Sequence, residues 1–412
     1  MTLSFADSMA DPKSYLPPAP QERAAASARP PATTEATPAI AADASFQLHV
    51  DAVIDYLKAQ GFVFEPWQVG AFITAVRTKP FVILAGISGT GKTKLPRLVA
   101  DATAAECHTV PVRPDWTDSS ELLGYERLNG NFRPGELLRF AQEAQQHPET
   151  QHFFILDEMN IARVEYYLAE VLSHLEERRP DEHGRVVSEP LVRNVGDMAG
   201  GAGWDDVRLP DNLCIVGSVN MDETTYGFSK KVLDRAFVIE FSTIELSEVG
   251  SVEAGPSMPT LWPSAAWRAQ ALSLAAHPER HDESVAAMIE TLTRVNEVLR
   301  LGQLQFGYRV RDEIVMFCLA AQQCAATFTT AEMGTVDPLD LAIAMKVLPR
   351  IQGGGATIGK VLAGLHSWAA PDTAGTTNEP GSGENVGFPF CAARLTLMQA
   401  RLRESGFTNY WL

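Results

Sequence analysis

Residues 81–93 read FVILAGISGTGKT and decide the fold of the chain around them. The run from Phe81 to Ala85 is apolar and rich in β-forming residues, which predicts a buried strand. It ends in the spacing G-x-x-x-x-G-K-T, and the following KLPRLVADATAAE has a helical pattern. Glycines let backbone N–H groups curl around a phosphate, and a helix N-terminus adds partial positive charge. The stretch therefore predicts a phosphate-binding loop made by Gly86, Ile87, Ser88, Gly89, Thr90, Gly91, Lys92, Thr93 and Lys94.

Two side chains of this loop carry chemistry of their own. Lys92 is placed to reach the β- and γ-phosphates of a nucleotide, and the Thr93 hydroxyl is a ligand for Mg²⁺. The loop contacts phosphates rather than the base, so it does not distinguish ATP from GTP. We expect ATP with Mg²⁺ and keep GTP as the alternative. Phe64 and Trp67, shortly before the loop, would pack against the base or in the core.

A second chemical centre lies at residues 152–160, HFFILDEMN. The apolar run predicts a buried strand with Asp157 and Glu158 at its carboxyl end, the edge where α/β sheets collect their ligands. Asp157 would hold the metal, and Glu158 would activate the attacking water. Acidic residues often end strands, but a phosphate loop about 65 residues earlier makes this pair specific.

Three further polar residues are candidates for the same chemistry. Asn220 ends the apolar run NLCIVGSVN, where it would orient the attacking water or simply cap the strand. Arg235 precedes the strand-like FVIEF and is either a surface ion-pair residue or a charge offered to a neighbouring subunit's phosphate. Arg309 and Arg311 begin a helix, an unfavourable position for cations that hints at a role, although a solvated face is the commoner explanation.

Composition narrows the class of protein. The 412 residues are 45% hydrophobic and 21% charged, as in ordinary globular proteins, with no run long enough to span a bilayer and no N-terminal signal pattern. We expect a cytoplasmic protein. Five scattered cysteines without a C-x-x-C pair predict reduced, mostly buried thiols. A net charge of −17 disfavours DNA binding by an exposed face but leaves a basic pore open. The nine histidines are dispersed and are expected to be structural.

The remaining patterns predict the domain organisation. Residues 1–45 are rich in Ala and Pro and are expected to be a disordered arm. Residues 46–245 would form the nucleotide-binding core, with inserted hairpins near 124–135 and 180–210. Residues 246–412 would form a helical lid with a mobile loop at 371–387. Within this plan the patterns predict a strand at 107–114, short strands at VVSEPLV and VRLP, and helices at 161–179, 266–276, 283–301, 310–328, 338–350 and 390–405.

The order of these motifs resembles a known family. GISGTGKT, FFILDEMN, VGSVN and LDRAF are similar to Walker A, Walker B, sensor 1 and the arginine finger of AAA+ ATPases. PDWTDSSELLGY and VNMDETTYGFSKKVLDRAFVIEF resemble the McrB branch and its dynein-related and MoxR neighbours. The resemblance implies an α/β fold: a three-layer αβα P-loop core with a parallel sheet, β-hairpin inserts and an α-helical C-terminal lid.

The resemblance also implies roles and partners. Lys92 and Thr93 would bind phosphates and metal, Asp157 the metal, Glu158 the water, Asn220 would be sensor 1, Arg235 the trans-acting finger and Arg309 (or Arg311) sensor 2. The chain would form a ring, expected to be a hexamer, and would act with a McrC-like nuclease in restriction of foreign DNA. The segment before the loop is too short for the DNA-recognition module of McrB, so DNA would be contacted by the partner or the pore. Two alternatives stay open: a MoxR-like chaperone that remodels a protein, and a nucleotide-gated scaffold with little turnover.

Overall fold

The computed structural model describes residues 46–182, 184–221, 226–242, 259–330, 334–370 and 387–411. The predicted arm at 1–45 and nearly all of the predicted loop at 371–387 lie outside these residues. All the described residues belong to one compact unit, Pro38–Leu412, which contains both the predicted core and the predicted lid. Within them, no helix combines the length and the apolar character that a bilayer crossing requires.

The first half of the chain alternates strands and helices. In chain order its elements are α1 Phe46–Ala59, α2 Pro66–Thr78, β1 Phe81–Gly86, α3 Lys94–Thr103, β2 Glu106–Pro111, α4 Ser120–Leu123, β3 Gly124–Glu126, β4 Phe132–Pro134, α5 Glu136–Gln146, β5 His152–Asp157, α6 Val164–Tyr167, α7 Ala169–Glu176, β6 Arg179–Pro180, β7 Val186–Val187, β8 Leu213–Asn220, α8 Lys230–Leu233 and β9 Phe237–Phe241.

The second half is mainly helical. It consists of α9 Glu283–Arg300, α10 Tyr308–Ala321, α11 Pro338–Lys346, β10 Gly353–Gly354, α12 Gly355–Ala369, α13 Pro389–Ser405 and β11 Phe407–Thr408. Short 3₁₀ helices lie at 159–161, 204–206, 264–267, 274–276, 322–327 and 348–350.

Five strands form one parallel sheet in the order β2-β5-β8-β1-β9. All six residues of β1 are buried, as expected for a central strand covered on both faces. Helices flank the sheet, and α10 of the C-terminal region packs against α2 of the core. The predicted α/β fold with a parallel sheet and a helical C-terminal region is confirmed. The antiparallel pair β3–β4 lies within the segment predicted for the first inserted hairpin, whereas β6–β7 occupies only the start of the second, predicted over 180–210.

Several local predictions were wrong. The helix expected over 161–179 is broken into a 3₁₀ turn, α6 and α7, because Ala162 is extended (φ −118°, ψ 167°) and Leu168 departs from helical angles (φ −102°, ψ 0°). The buried Tyr167 fixes this path by donating a hydrogen bond to the Met159 carbonyl (2.8 Å). VRLP forms no strand, since Ser188 instead ties the Leu209 amide through its hydroxyl (2.9 Å).

The helix predicted at 266–276 is two separate 3₁₀ turns. Trp267 packs against Trp262 and Phe153, and these aromatic contacts outweigh the helical pattern. Helix α12 was not predicted because it opens on glycines that disfavour helix. The other C-terminal helices match their predicted positions, with the last turns of two of them replaced by 3₁₀ helix.

Candidate nucleotide site

The phosphate loop begins where β1 ends. Gly86 has φ 157°, and a Cβ there would lie 2.2 Å from the Phe241 carbonyl oxygen of β9, so only glycine fits. After the turn, α3 starts at Lys94 and directs its first amides toward the loop. Lys92 is 5% exposed, and its ammonium donates hydrogen bonds to the carbonyls of Gly86 (3.0 Å) and Ile87 (2.5 Å). The loop is therefore shaped as an anion cradle with its lysine folded over it.

The carboxyl end of β5 faces this loop. Thr93 Oγ1 donates to Asp157 Oδ1 (2.7 Å), so hydroxyl and carboxylate oxygens lie side by side. Mg²⁺ prefers such hard oxygen donors and takes few of them from the protein when phosphates supply others. Among the described residues no cluster of three His, Cys, Asp or Glu side chains forms an all-protein metal site. The donors present thus fit a metal held together with a nucleotide.

Glu158 is held in a defined orientation beside Asp157. Its backbone is left-handed (φ 53°, ψ 49°), a conformation that costs a non-glycine residue about 1–2 kcal/mol. Asn220 Nδ2 donates to Glu158 Oε1 (3.0 Å), and the Glu158 amide donates to Ser218 Oγ (2.9 Å). The structure thus brings Asn220 to Glu158. Strain retained at such a position is a common feature of functional sites.

Ser218 is a site residue that the sequence did not reveal. Its hydroxyl donates to Asp157 Oδ1 (2.6 Å) while accepting from the Glu158 amide, so one side chain orients both acidic residues. The available signal was the strand period of two, which places Ser218 on the same face of β8 as Asn220. Parallel register brings these groups together: Gly86 is paired with Asn220, and Leu156 with Gly217.

Phe64 and Trp67 are core residues. Both are buried; the Phe64 ring meets Phe241 edge-on, and Trp67 meets Phe390 of α13. Of the two expectations for these aromatics, core packing is therefore the one that the structure matches. The five cysteines are all unpaired and mostly buried, as predicted. Burial lowers the pKa of His49, His152 and His174, which agrees with structural rather than acid–base roles.

Arg235 lies at the opposite edge of the sheet. It precedes β9, whose first residue Phe237 is paired with Val82 near the start of β1. A six-residue strand such as β1 spans on the order of 17–20 Å, so Arg235 cannot reach the phosphate loop of its own chain. Its guanidinium pairs with Glu176 (2.5 Å) at the end of α7.

Arg309 is found at that same edge. It also pairs with Glu176, and Arg309 and Glu176 line a cavity of about 230 Å³ together with Lys79, which lies two residues before β1. The structure therefore places Arg309 away from the phosphate loop of its own chain, and its assignment as sensor 2 stays a prediction. Arg311 pairs with its neighbour Asp312 (2.5 Å) and stacks on Tyr308.

Two family models and one curated relative match parts of this chain. Residues 81–236 match the family model described as AAA domain (dynein-related subfamily). Residues 260–407 match a model described as a domain of unknown function. A segment of 177 residues is 29% identical to the EcoKMcrB subunit of the type IV methyl-directed restriction enzyme of Escherichia coli K12.

The coverage of these matches is partial. The aligned segment spans 41% of this chain and 35% of the Escherichia coli subunit, so the chain spans about a third of that relative's length. A crystal structure described as that of a proposed ATPase from Cytophaga hutchinsonii covers 74% of this chain and 87% of its own, with 13% identity and a TM-score of 0.45.

Proposed function

We propose that the chain is a McrB-like AAA+ NTPase and that it hydrolyses ATP, or GTP, in a ring of identical subunits. One observation carries the proposal: Asp157, Glu158, Ser218 and Asn220 meet the phosphate loop at one edge of the sheet, while Arg235 is presented at the other. In a site built this way, Arg235 of a second copy would supply the charge that faces the phosphates. A closed ring, expected to be a hexamer, gives every subunit both halves.

The roles of the residues follow from their contacts. Backbone amides of the loop and Lys92 bind the phosphates, and Thr93 with Asp157 provides oxygen ligands for Mg²⁺. The metal, when bound, neutralises phosphate charge. Glu158 acts as the general base that takes a proton from the attacking water, and the hydrogen bond from Asn220 fixes the carboxylate for that task (3.0 Å). Arg235 of the neighbouring subunit stabilises charge that develops on the transferred phosphoryl group.

Arg309 belongs with Arg235 in this proposal. Both side chains pair with Glu176, so a neighbour that docks against Arg235 also meets Arg309. Arg309 therefore acts on the neighbour's nucleotide rather than on its own.

We further propose that the ring is the motor subunit of a McrBC-like restriction complex that defends cells against foreign DNA. Support comes from the similarity to a restriction-enzyme subunit. The net charge of −17 favours a mode in which DNA is contacted by the partner or inside the pore. The nuclease would then be a separate McrC-like protein, and the cytoplasm would be the site of action. A scaffold without turnover would not need the oriented Glu158–Asn220 pair.

Assembly and turnover test the ring. The purified chain is incubated with ATP or GTP and Mg²⁺, and its mass is followed by light scattering alongside phosphate release. We expect nucleotide-dependent assembly and turnover that rises more than linearly with protein concentration. A monomer that hydrolyses at a concentration-independent specific rate would refute the shared site.

Co-expression tests the restriction role. The chain is produced with a McrC-like nuclease encoded beside it, and plasmid transformation and phage plating are measured with wild-type and Glu158→Gln proteins. Restriction that needs both proteins and is lost in the variant supports the proposal. A partner that is a protein client with no nuclease activity would favour the MoxR-like alternative.

A further inference from the structure

The C-terminal region forms hydrogen bonds with the segment that carries Arg235. Lys346, the last residue of α11, is 1% exposed, and its ammonium donates hydrogen bonds to the carbonyls of Asp234 (3.1 Å) and Ala236 (3.1 Å). These are the residues on either side of Arg235. A single buried side chain from residues 260–407 thus fixes the backbone at both flanks of the arginine.

The ammonium is itself held in place by a buried carboxylate. Glu313 of α10 pairs with Lys346 (2.5 Å) and with Lys79 of the core. Burial alone would raise the pKa of Glu313, but the two lysines outweigh it and lower that pKa, so the carboxylate stays charged. Burial lowers the pKa of Lys79 to about 8. The ring of Phe237 lies 4.9 Å from the Lys346 ammonium and closes its remaining side.

A second cation from the same region acts on the same segment. Arg350, in the 3₁₀ turn after α11, pairs with the Asp234 carboxylate (2.9 Å). Asp234 is therefore held by its carbonyl and by its side chain. The guanidinium of Arg235 itself pairs with Glu176 and donates a hydrogen bond to the Lys231 carbonyl (2.5 Å).

We propose that Lys346, assisted by Arg350, is the positioning residue for Arg235. The C-terminal region, which matches a model described as a domain of unknown function, thereby sets where this chain presents its arginine to the next subunit's phosphate. The inference rests on the proposed shared site. It has a measurable consequence, because displacing a reacting group by about 1 Å costs a rate on the order of a hundredfold.

Mixed rings test this assignment. Arg235→Ala lacks the arginine but keeps its own pocket, whereas Glu158→Gln lacks the base but keeps its arginine. Together they form some complete sites, so turnover returns on mixing. Lys346→Met, close to lysine in shape but without its charge, is expected to bind nucleotide normally and to lose turnover about tenfold to a hundredfold. It should regain turnover when mixed with Glu158→Gln and not when mixed with Arg235→Ala.

A second variant guards against loss of folding. Lys346→Met leaves Glu313 paired with Lys79, so the buried carboxylate keeps one cation, and Arg350 offers an independent substitution. Arg350→Gln loosens the same segment from a less buried position and should show the same mixing pattern more weakly.

Asp340→Asn is the matched control on α11. Asp340 accepts hydrogen bonds from the amides of Phe390 (2.7 Å) and Cys391 (2.9 Å), which lie within the C-terminal region. This variant should unfold at a lower temperature while its folded rings turn over like wild type.

The outcomes distinguish a failure of the positioning role of Lys346 from a failure of the shared site. Wild-type turnover in folded Lys346→Met and Arg350→Gln would overturn the positioning role. Recovery of Lys346→Met by Arg235→Ala but not by Glu158→Gln would also overturn it, since the defect would then lie in its own pocket. If Arg235→Ala and Glu158→Gln fail to complement each other, the shared site itself fails and the inference falls with it.

Discussion

Replacing Ser218 with alanine removes a side chain that hydrogen-bonds to both acidic residues of the site. The Ser218 hydroxyl donates to Asp157 Oδ1 (2.6 Å) and accepts from the Glu158 amide (2.9 Å), and the residue is 3% exposed. A hydrogen bond to a charged group contributes about 1.5–3 kcal/mol. Each 1.4 kcal/mol or so is about tenfold in a rate or an equilibrium, so we expect a loss of about tenfold to a hundredfold.

The loss should fall mainly on turnover. Glu158 is kept in a left-handed conformation, and without the Ser218 acceptor its amide loses a partner that helps to hold the carboxylate in place. Phosphate contacts to the loop do not involve Ser218, so nucleotide affinity without metal should be nearly unchanged. The assay is steady-state phosphate release over a range of Mg²⁺ and nucleotide concentrations, beside equilibrium binding of a fluorescent nucleotide.

Ser188→Ala is the matched control for this variant. Ser188 is also buried and also makes two hydrogen bonds, to the Leu209 amide (2.9 Å) and the Glu189 carbonyl (2.6 Å), but it lies in the insert. Its loss should lower the unfolding temperature and leave turnover intact. Wild-type turnover in folded Ser218→Ala, or an equal loss in both variants, would refute the reasoning.

Three other perturbations have defined outcomes. Gly217→Ala places a Cβ 1.9 Å from the Met159 sulfur, so it should lower both the unfolding temperature and turnover. A Cβ at Gly227 meets nothing within 4 Å, so Gly227→Ala is the control and should be neutral. Equal unfolding temperatures for the two variants would contradict the packing around Gly217. Burial raises the pKa of the Cys107 thiol to about 11. The rate at which Cys107 is alkylated in the folded protein should therefore keep rising to about pH 11. A plateau of that rate near pH 9 would show that the thiol has an ordinary pKa. Arg309→Ala should bind nucleotide like wild type yet turn over slowly in rings, and a loss of affinity in the isolated subunit would show that Arg309 acts on the nucleotide of its own chain.

Much of the nucleotide site was predictable because its residues follow buried strands directly. Gly86, Asp157 and Asn220 each end an apolar run, and parallel strands deliver their carboxyl ends to a single edge. Knowing the strands therefore placed the residues. Ser218 could not be predicted in this way, because a serine inside an apolar strand is indistinguishable from a packing residue until the neighbouring strand is known.

The arginine edge could not be predicted in the same way. Glu176 and Arg309 are 133 residues apart, and Lys346 meets Ala236 across 110 residues. No local spacing encodes such pairings, since they depend on how the C-terminal helices pack on the sheet. Local pattern also failed at Ala162, where the buried hydrogen bond of Tyr167 interrupts a stripe that reads as one helix. Tertiary contacts decided both cases.

The most direct test of the central claim measures two quantities for Glu158→Gln: the rate of nucleotide turnover and the amount of nucleotide that stays bound. General-base catalysis is worth about a hundredfold to ten-thousandfold, so phosphate release should fall by that order while the nucleotide stays bound in assembled rings. Glu170→Gln, which neutralises an exposed carboxylate on α7, is the control and should turn over normally. Wild-type turnover by Glu158→Gln would contradict the account, because the oriented carboxylate at the end of β5 would then not be the base.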